Sequence, residues 1–395
     1  MRTEAAVKVV LAESGQAVGG TERVVWELAT RLPRERFDVR VWLSDVPAVD
    51  PFADALAARD VPVRRVAEVD SRWDFRGMIR TWRALRRDPP ALLHVHHVWP
   101  ASDRYLASLA DAAGIEHLVV TEHIEGEPHS PAQTALKRGE LARADAVTAV
   151  SAAVADSLVR DYRADRARIR LVPNGADPPP ADEALAARRL RIELGASLTR
   201  PLWACVGRLE KQKGQDVLLD ALALVRDAGL EFVVALAGEG TMRKSLETRV
   251  ARLGLGERVR FLGRLDDAGA LLAASDLVVM PSRWEGQPIV LVEAMMRGRA
   301  VVASAVGGIP EVLEDDVHGR LVPPTDAPVL ARVLADLHHR GDLVARYGRA
   351  GGARAAQDYT WTRVVQQYEA VYDEVLGLAS FAPAPHGRHG QAVRR

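Results

Sequence analysis

The stretch Pro281-Ser-Arg-Trp-Glu-Gly-Gln-Pro-Ile-Val-Leu-Val-Glu293 places two carboxylates, Glu285 and Glu293, eight residues apart across a predicted loop-to-helix junction. Pro288 predicts the start of the helix, because the missing N–H of a proline would have no partner in the first turn. Glu285 therefore lies in the loop. Glu293 lies about one and a half turns into the helix, too far along to cap it. The apolar run before Glu293 indicates that this charge needs a partner.

A second stretch, Gly207-Arg-Leu-Glu-Lys-Gln-Lys-Gly214, follows a predicted strand and carries the cations Arg208 and Lys213. Open parallel sheets bind ligands at the carboxyl ends of their strands, where these cations are expected. Arginine and lysine bind phosphate groups, whereas carboxylates accept hydrogen bonds from the paired hydroxyls of a sugar. Together the two stretches predict a pocket for a nucleotide sugar.

These two segments resemble the C-terminal half of the retaining GT-B glycosyltransferases of family 4. The resemblance extends from Gly19 to about Glu374. It implies an α/β protein with the GT-B architecture, in which two Rossmann-like domains face each other across a cleft and a C-terminal helix crosses back to the N-terminal domain. Further segments match the family in order and spacing: Ala237-Gly-Glu-Gly240, Phe261-Leu-Gly263, Ser275-Asp276 and Gly307-Gly-Ile-Pro-Glu311.

The resemblance also implies roles for individual residues. Glu293 would bind the ribose hydroxyls, Glu285 the hydroxyls of the transferred sugar, and Arg208 and Lys213 the diphosphate. The backbone near Arg264 would bind the base of the nucleotide. Many family members have glycine at the position of Pro288, and proline removes one N–H donor there. The full set of expected donor-binding residues is Gly19, Gly20, Arg208, Lys213, Arg264, Glu285, Gly286, Gln287, Pro288, Ile289 and Glu293.

The N-terminal half contributes candidates on the other side of the cleft. Val18-Gly-Gly-Thr-Glu22 lies in the first strand-to-helix turn, where glycines let backbone N–H groups approach an anion. Glu22 and Gln16 are candidates for contact with the acceptor. His123 ends a predicted strand and resembles the family histidine that contacts the transferred sugar. The expected catalytic residues are His123, Arg208, Lys213 and Glu285.

A metal site is not expected, although six of the 11 histidines fall within one stretch. The alternation puts His94 and His96 on one face of a buried strand, and no acidic partner follows at ligand spacing. The chain also has no Asp-x-Asp pair, the motif with which the other common glycosyltransferase design holds its diphosphate through a divalent metal. We therefore expect no cofactor other than the nucleotide-sugar co-substrate. The six histidines are His94, His96, His97, His117, His123 and His129.

Short β-rich runs alternate with helical patterns in both halves, which predicts βαβ units and parallel sheets. The turn-rich segment Asn174–Pro180 separates the halves. The predicted organisation is an N-terminal acceptor-side domain over 1–173, a linker and connecting helix over 174–200, a nucleotide-sugar domain over 201–358, a crossover helix over 359–379 and a disordered tail over 380–395. The predicted strands are Val7–Ala12, Asp38–Leu43, Leu92–His96, His117–Glu122, Ala146–Val150, Ile169–Pro173, Leu202–Gly207, Glu231–Ala237, Val259–Leu262, Leu277–Met280, Ala300–Ala303 and Gly319–Val322.

Composition excludes several classes of protein. The 395 residues contain 53 Lys plus Arg and 53 Asp plus Glu, so the chain as a whole lacks a nucleic-acid-binding charge excess. The single cysteine, Cys205, excludes an internal disulfide framework. No apolar run approaches the roughly 20 residues that span a bilayer, and Met1–Val10 has no signal-peptide core, so we expect a cytoplasmic protein.

One helix carries a concentrated positive charge. Phe75, Ile79 and Trp82 lie beside its basic face, and a basic amphipathic helix of this kind can dock on anionic membranes, as in some relatives. We favour a solvated basic rim next to an apolar core face over peripheral membrane contact. The basic face consists of Arg72, Arg76, Arg80, Arg83 and Arg87.

The expected function is a hexosyltransferase-type activity. It would move a sugar from a nucleoside diphosphate sugar, with UDP favoured over GDP, to a hydroxyl of a small-molecule or glycan acceptor, without a metal and with retention of configuration. Two alternatives stay open: a nucleotide-sugar 2-epimerase, and a non-catalytic nucleotide-sugar binding protein. The Glu285–Glu293 segment favours transfer over epimerisation. The intact set of charged residues argues against a binding protein.

Overall fold

The structure is a computed structural model of the chain, and it describes residues 6–15, 19–66, 69, 71, 73–99, 102–103, 105–126 and 130–378. Gln16, Arg72 and His129 lie outside the described residues, as does the tail predicted over 380–395.

The N-terminal half contains a seven-stranded sheet in which every pair of neighbouring strands is parallel. Its strand order is β3-β2-β1-β4-β5-β6-β7. The strands are β1 (Val7–Glu13), β2 (Phe37–Ser44), β3 (Val63–Val66), β4 (Leu92–His97), β5 (His117–Glu122), β6 (Ala146–Ala149) and β7 (Ile169–Leu171). The helices are α1 (Gly20–Arg31), α2 (Asp50–Ala57), α3 (Phe75–Arg87), α4 (Leu106–Ala113), α5 (Pro131–Arg143) and α6 (Ala152–Tyr162).

The C-terminal half repeats this design with a six-stranded parallel sheet in the order β10-β9-β8-β11-β12-β13. The strands are β8 (Leu202–Val206), β9 (Val233–Ala237), β10 (Val259–Gly263), β11 (Leu277–Met280), β12 (Ala300–Ser304) and β13 (Gly319–Val322). The helices from the linker onward are α7 (Glu183–Glu193), α8 (Gln215–Asp227), α9 (Arg243–Arg252), α10 (Gly269–Ala274), α11 (Ile289–Met296), α12 (Ile309–Val312), α13 (Ala327–His338), α14 (Gly341–Asp358) and α15 (Trp361–Leu376).

The predicted two-sheet α/β fold is confirmed, and each predicted strand has a counterpart within two residues at either end. One strand, β3, was missed. Its sequence is Val-Arg-Arg-Val and it forms the edge of the N-terminal sheet, with no fully buried residue. An edge strand has only one neighbour and tolerates charges that a central strand does not, so the apolar signal is absent.

Helix α15 crosses back to the N-terminal half, as predicted. Its buried face carries Trp361, Tyr368 and Tyr372, which belong to the same apolar core as Val9 and Phe37. The ring of Tyr372 packs edge-on against that of Phe37, with the centroids 5.8 Å apart. Helix α15 therefore helps to build the apolar core of the N-terminal sheet.

Both strand orders reverse beside the first strand of the sheet, between β1 and β4 and between β8 and β11. Ligands of open parallel sheets bind in the crevice at this point, beyond the carboxyl ends of the strands. The segments beginning at Gly207 and Pro281 directly follow β8 and β11. No helix among the described residues is long and apolar enough to cross a membrane.

Candidate active site

Lys213 and Glu285 meet at the carboxyl ends of β8 and β11. Lys213 Nζ lies 2.6 Å from Glu285 Oε1, and the same oxygen accepts a hydrogen bond of 2.8 Å from Ser282 Oγ. Glu285 is buried, whereas Lys213 keeps part of its surface exposed. Gly214 has φ +66°, and a Cβ there would overlap with the carbonyl of Pro281, so glycine lets the two loops approach each other.

Arg208 reaches toward the N-terminal half. Its side chain is exposed and donates to Gln212 Oε1 at 3.2 Å, while its carbonyl accepts from Gln215 Nε2 at 2.9 Å. Arg208 also lies close enough to Glu22 to oppose the effect of burial, which raises the pKa of that carboxyl. The guanidinium of Arg208 therefore stands between the two halves of the chain.

Helix α11 begins at Ile289, with Pro288 as its N-cap residue, and no side chain caps it. The first N–H groups of an uncapped helix are available to an anion. Gly20 in the N-terminal half lies against this helix start, since a Cβ at Gly20 would be 3.8 Å from Ile289 Cδ1. The start of α1 and the start of α11 thus face each other.

Glu293 lies on α11 and is partly buried. Burial raises the pKa of its carboxyl, and Arg23 from the N-terminal half and Arg297 oppose this rise. Arg297 itself is committed to Glu183, with which it forms two hydrogen bonds of 2.8 and 2.6 Å. Arg23 and Arg297 therefore act electrostatically on the Glu293 carboxylate, and within the described part of the chain no ion pair joins it to either of them.

Gln287 bonds to the linker between the halves. Its Oε1 accepts from the Asn174 N–H, and its carbonyl accepts from Asn174 Nδ2 at 2.6 Å. The expected donor-binding residue Gln287 thus holds the linker against the loop that carries Glu285. Asn174 was not predicted as part of the site, although it starts the turn-rich segment that was predicted as the boundary.

His123 follows β5 and faces the same loop from the other side. A Cβ at Gly286 would overlap with the His123 carbonyl, so the two halves touch here. Burial, together with nearby His97, lowers the pKa of His123 to about 3. Its Nε2 lies 3.2 Å from Nδ1 of buried His96, whose pKa is also lowered, first by burial and then by His94 and His123. His123 is thus a neutral imidazole at physiological pH.

Two buried carboxyls, Glu13 and Glu22, meet beside the first strand-to-helix turn. Glu13 ends β1 and accepts from the Gly15 N–H, while Glu22 Oε2 accepts from the Gly19 N–H at 2.7 Å. A Cβ at Gly15 would overlap with an oxygen of each carboxyl. Burial and the neighbouring Glu22 raise the pKa of Glu13 well above its usual range. Glu13 was missed from the sequence, although a glutamate that ends a buried strand is a signal that could have been used.

Arg264 follows β10 and is exposed, and Gly19 is exposed at the turn before α1. Both residues are therefore accessible to a ligand, Arg264 after β10 and Gly19 before α1.

The expectation that the histidines lack an acidic partner is wrong for His97. Its Nε2 lies 2.9 Å from Glu140 Oε1, and His97, Glu122 and Glu140 are close enough together to hold a metal ion. Lys137 contributes an ammonium to the same group, 2.8 Å from Glu140 and paired with Glu122. Burial alone would favour the neutral acid, yet His97 and Lys137 lower the pKa of Glu140 to about 2. Because the lysine supplies the positive charge, the group is a buried ion-pair network.

The basic helix α3 differs from its prediction. Phe75 and Ile79, expected beside an apolar core, are 58% and 46% exposed. Trp73 just before the helix is 69% exposed, and its ring centroid lies 6.3 Å from that of Phe75. Gly77, Thr81, Ala84 and Leu85 form the buried face instead. The exposed face therefore combines arginines with large apolar side chains.

The chain matches two glycosyltransferase families, one in each half. Residues 18–179 match the family described as Glycosyltransferase Family 4, and residues 187–354 match the family described as Glycosyl transferases group 1. A D-inositol 3-phosphate glycosyltransferase of Streptomyces coelicolor is 30% identical over 94% of this chain and 90% of its own length. A protein of the same name from Streptomyces avermitilis is 31% identical over 91% of this chain and 83% of its own length.

Solved structures agree on the fold. HepE of Anabaena superimposes with a TM-score of 0.79 at 24% identity, over 93% of this chain and all of HepE. WaaG, a glycosyltransferase of lipopolysaccharide biosynthesis, gives a TM-score of 0.70 at 18% identity, over 94% of this chain and all of WaaG. The family matches in both halves and the relatives of nearly full length support transfer over the epimerase and binding-protein alternatives. The chain is a glycosyltransferase of family 4 with the GT-B fold.

Proposed function

We propose that the chain transfers a sugar from a nucleoside diphosphate sugar, with UDP favoured over GDP, to an acceptor hydroxyl, with retention of configuration and without a metal. The observation that carries this proposal is the Lys213–Glu285 pair, 2.6 Å apart beside the uncapped start of α11. A cation, a carboxylate and free helix N–H groups are the groups that a sugar diphosphate needs at its anomeric end.

The diphosphate would bind between Lys213, Arg208 and the start of α11. As the bond to the sugar breaks, negative charge grows on the leaving diphosphate, and cations fixed in place before the reaction stabilise it. These residues would therefore supply the positive charge that a divalent metal supplies in the other common glycosyltransferase design. The approach of Gly20 to Ile289 brings the start of α1 to the same region.

The transferred sugar would lie between Glu285 and His123. Glu285 Oε1 is engaged by Lys213 and Ser282, so Oε2 is the oxygen that would accept from a sugar hydroxyl. The neutral imidazole of His123 would take part in a hydrogen bond from the opposite side. In this arrangement Glu285 is a binding group, and the acceptor hydroxyl would attack from the face that the diphosphate leaves, passing its proton to the departing phosphate.

The similar proteins suggest which ligands to test first. HepE has been solved with UDP and with UDP-glucose, which supports a UDP-sugar. The Streptomyces relatives are named for inositol 3-phosphate, which supports a polyol hydroxyl as the acceptor.

Thermal unfolding with UDP, GDP, ADP and dTDP tests the donor. A nucleotide at about 100 times its dissociation constant stabilises the folded state by roughly 2.7 kcal/mol, a shift that is easily measured. We expect UDP to stabilise the wild type and the control Lys211→Ala, whose substitution removes an exposed lysine two residues away, and to stabilise Lys213→Ala clearly less at the same concentration. No shift with any of the four nucleotides would contradict the proposal.

Two further measurements test the mechanism. Turnover in the presence of EDTA should equal that in its absence, and a loss restored by a divalent cation would contradict metal independence. The product should have the anomeric configuration of the donor by NMR. A glycosyl group trapped covalently on Glu285 would show that the reaction is a double displacement and would contradict the proposed single step.

A further inference from the structure

The Glu311 carboxylate binds the N-terminus of α6, which belongs to the other half of the chain. Its Oε2 accepts from the Ala152 N–H at 2.8 Å and its Oε1 from the Ala153 N–H at 2.9 Å. Ser151 Oγ accepts from the next donor, the Val154 N–H, at 3.2 Å. The first three N–H groups of α6 are therefore satisfied, two of them by a residue from beyond the linker.

This contact adjoins the loop that carries Glu285. Gly308 N donates to the Gly286 carbonyl at 2.6 Å. A Cβ at Gly308 would come within 2.5 Å of both that carbonyl oxygen and Ser151 Cβ. On its other side, Gly286 lies against the His123 carbonyl. The Gly307–Gly308 turn thus packs between the Glu285 loop and the cap of α6.

Glu311 is well placed to hold this interface together. A carboxylate at a helix N-terminus interacts favourably with the N–H groups and with the helix dipole. Its own backbone is anchored in the C-terminal half, because Arg354 donates to the Glu311 carbonyl at 2.8 Å. The side chain is exposed, so water screens the contact.

We propose that Glu311 is a positioning residue for glycosyl transfer: it joins the two halves at α6 and so keeps His123 and Glu285 on opposite sides of one sugar site. Among the described residues, no hydrogen bond or ion pair joins Glu311 to the groups assigned to the donor, so it acts through α6 and the Gly307–Gly308 turn. The inference rests on the proposed function, since it takes His123 and Glu285 as the residues that must be brought together.

Kinetics of Glu311→Ala test the role in turnover, measured as UDP released from UDP-glucose. Loss of a helix-capping side chain typically shifts an equilibrium by about fivefold. We expect kcat to fall by about that factor while the Kd for UDP stays within about twofold, because the nucleotide groups lie in the C-terminal half. Glu311→Gln keeps one acceptor oxygen and should fall between wild type and alanine. The matched control is Glu314→Ala, which removes an exposed carboxylate three residues away that pairs with Arg354 at 3.9 Å and not with the N-terminus of α6.

Ser151→Ala separates the bridge, meaning the contact of Glu311 with the N-terminus of α6, from simple helix capping. It removes a cap of the same helix but leaves the contact between the halves, so kcat should stay within about twofold of the wild type. An equal loss of kcat in Ser151→Ala and Glu311→Ala would overturn the proposal, because capping alone would then explain both. An unchanged kcat in Glu311→Ala would also overturn it.

Amide exchange tests the bridge without reference to activity. Hydrogen–deuterium exchange followed by mass spectrometry should show faster exchange at Ala152 and Ala153 in Glu311→Ala, with the rest of α6 unchanged. Equal protection in both proteins would show that the bridge does not form in solution. If the wild type binds none of the four nucleotides and does not turn over UDP-glucose, the proposed function fails, while the exchange measurement still decides whether Glu311 joins the halves.

Discussion

Lys213 Nζ lies 2.6 Å from Glu285 Oε1, so a cation expected to bind the diphosphate is already paired with the carboxylate expected to bind the sugar. The two residues come from different loops, after β8 and β11, that meet at the crevice of the C-terminal sheet. Each fixes the position of the other before any ligand arrives. Such preorganisation is the main way in which an enzyme stabilises charge that develops during a reaction.

Lys213→Ala should weaken both binding and turnover. A hydrogen bond to a charged group contributes roughly 1.5–3 kcal/mol, which corresponds to about a 10- to 100-fold loss in the affinity for UDP. The loss in kcat should be larger than this, on the order of 100- to 1,000-fold, because the diphosphate gains charge in the transition state. Isothermal titration with UDP and steady-state kinetics measure the two effects. The control Lys211→Ala should match the wild type, and a Lys213→Ala enzyme with full kcat would remove this lysine from the catalytic set.

Much of the fold could be predicted because its signals are local. The strand β5 was predicted with the observed ends, since a fully parallel sheet buries continuous apolar runs such as Leu118–Val120. The strand β3 could not be predicted, because its two arginines at an edge remove that signal. The arginines Arg76 and Arg80 of α3 are exposed as predicted, whereas Phe75 and Ile79 were wrongly placed on a core face. Helical periodicity orders residues around an axis without showing which side another element covers.

The candidate site likewise combines residues that have a local sequence signal with contacts that depend on packing. Arg208, Lys213, Glu285 and Glu293 could be proposed because charges after strands and at a helix start follow from local chemistry, and the structure pairs Lys213 with Glu285. Glu13 carried a local signal, but its pairing with Glu22 depends on how α1 packs against β1. The bond between Gln287 and Asn174 had no local signal, because it depends on how the linker packs against the C-terminal half.

His123 should act as a neutral group throughout the physiological range. Burial, with His97, lowers its pKa to about 3, so protonation of His123 should not change kcat/KM between pH 5.5 and 8. We expect His123→Ala to lower kcat/KM by about 10-fold or more, since a neutral hydrogen bond contributes about 1 kcal/mol and its loss also leaves a gap beside the sugar. The pH–rate profile should keep its shape in the variant. An inflection near pH 6.5 that disappears in His123→Ala would show that this imidazole titrates in the working enzyme.

Glu13→Gln should stabilise the protein at neutral pH. The pKa of Glu13 is raised in the folded state, so folding favours the protonated carboxyl. The stability that this protonation provides is complete below the unfolded value of 4.5 and is lost as the pH rises through the folded pKa. Glutamine resembles the protonated acid and can still accept from the Gly15 N–H. Calorimetry should therefore show a higher Tm for the variant at pH 8 and no difference at pH 4. A gain of equal size at both pH values would show that charge is not its cause.

Helix α3 should bind anionic vesicles. Trp73 before the helix, and Phe75 and Ile79 on it, are exposed. Arg76 and Arg80 are also exposed on α3. Large apolar side chains beside arginines favour the interface of a negatively charged bilayer. Each arginine near such a surface contributes about 1 kcal/mol, so the double variant Arg76→Glu and Arg80→Glu should lose binding.

Flotation with vesicles of phosphatidylcholine alone and with added phosphatidylglycerol measures this binding. The wild type should float only with the anionic vesicles, and less at high salt, because salt screens the attraction. The matched control exchanges two exposed arginines of α7, Arg188→Glu and Arg189→Glu, and should float like the wild type. If the wild type stays at the bottom of the gradient with both kinds of vesicle, the arginines of α3 form a solvated rim, and its exposed apolar side chains need another explanation.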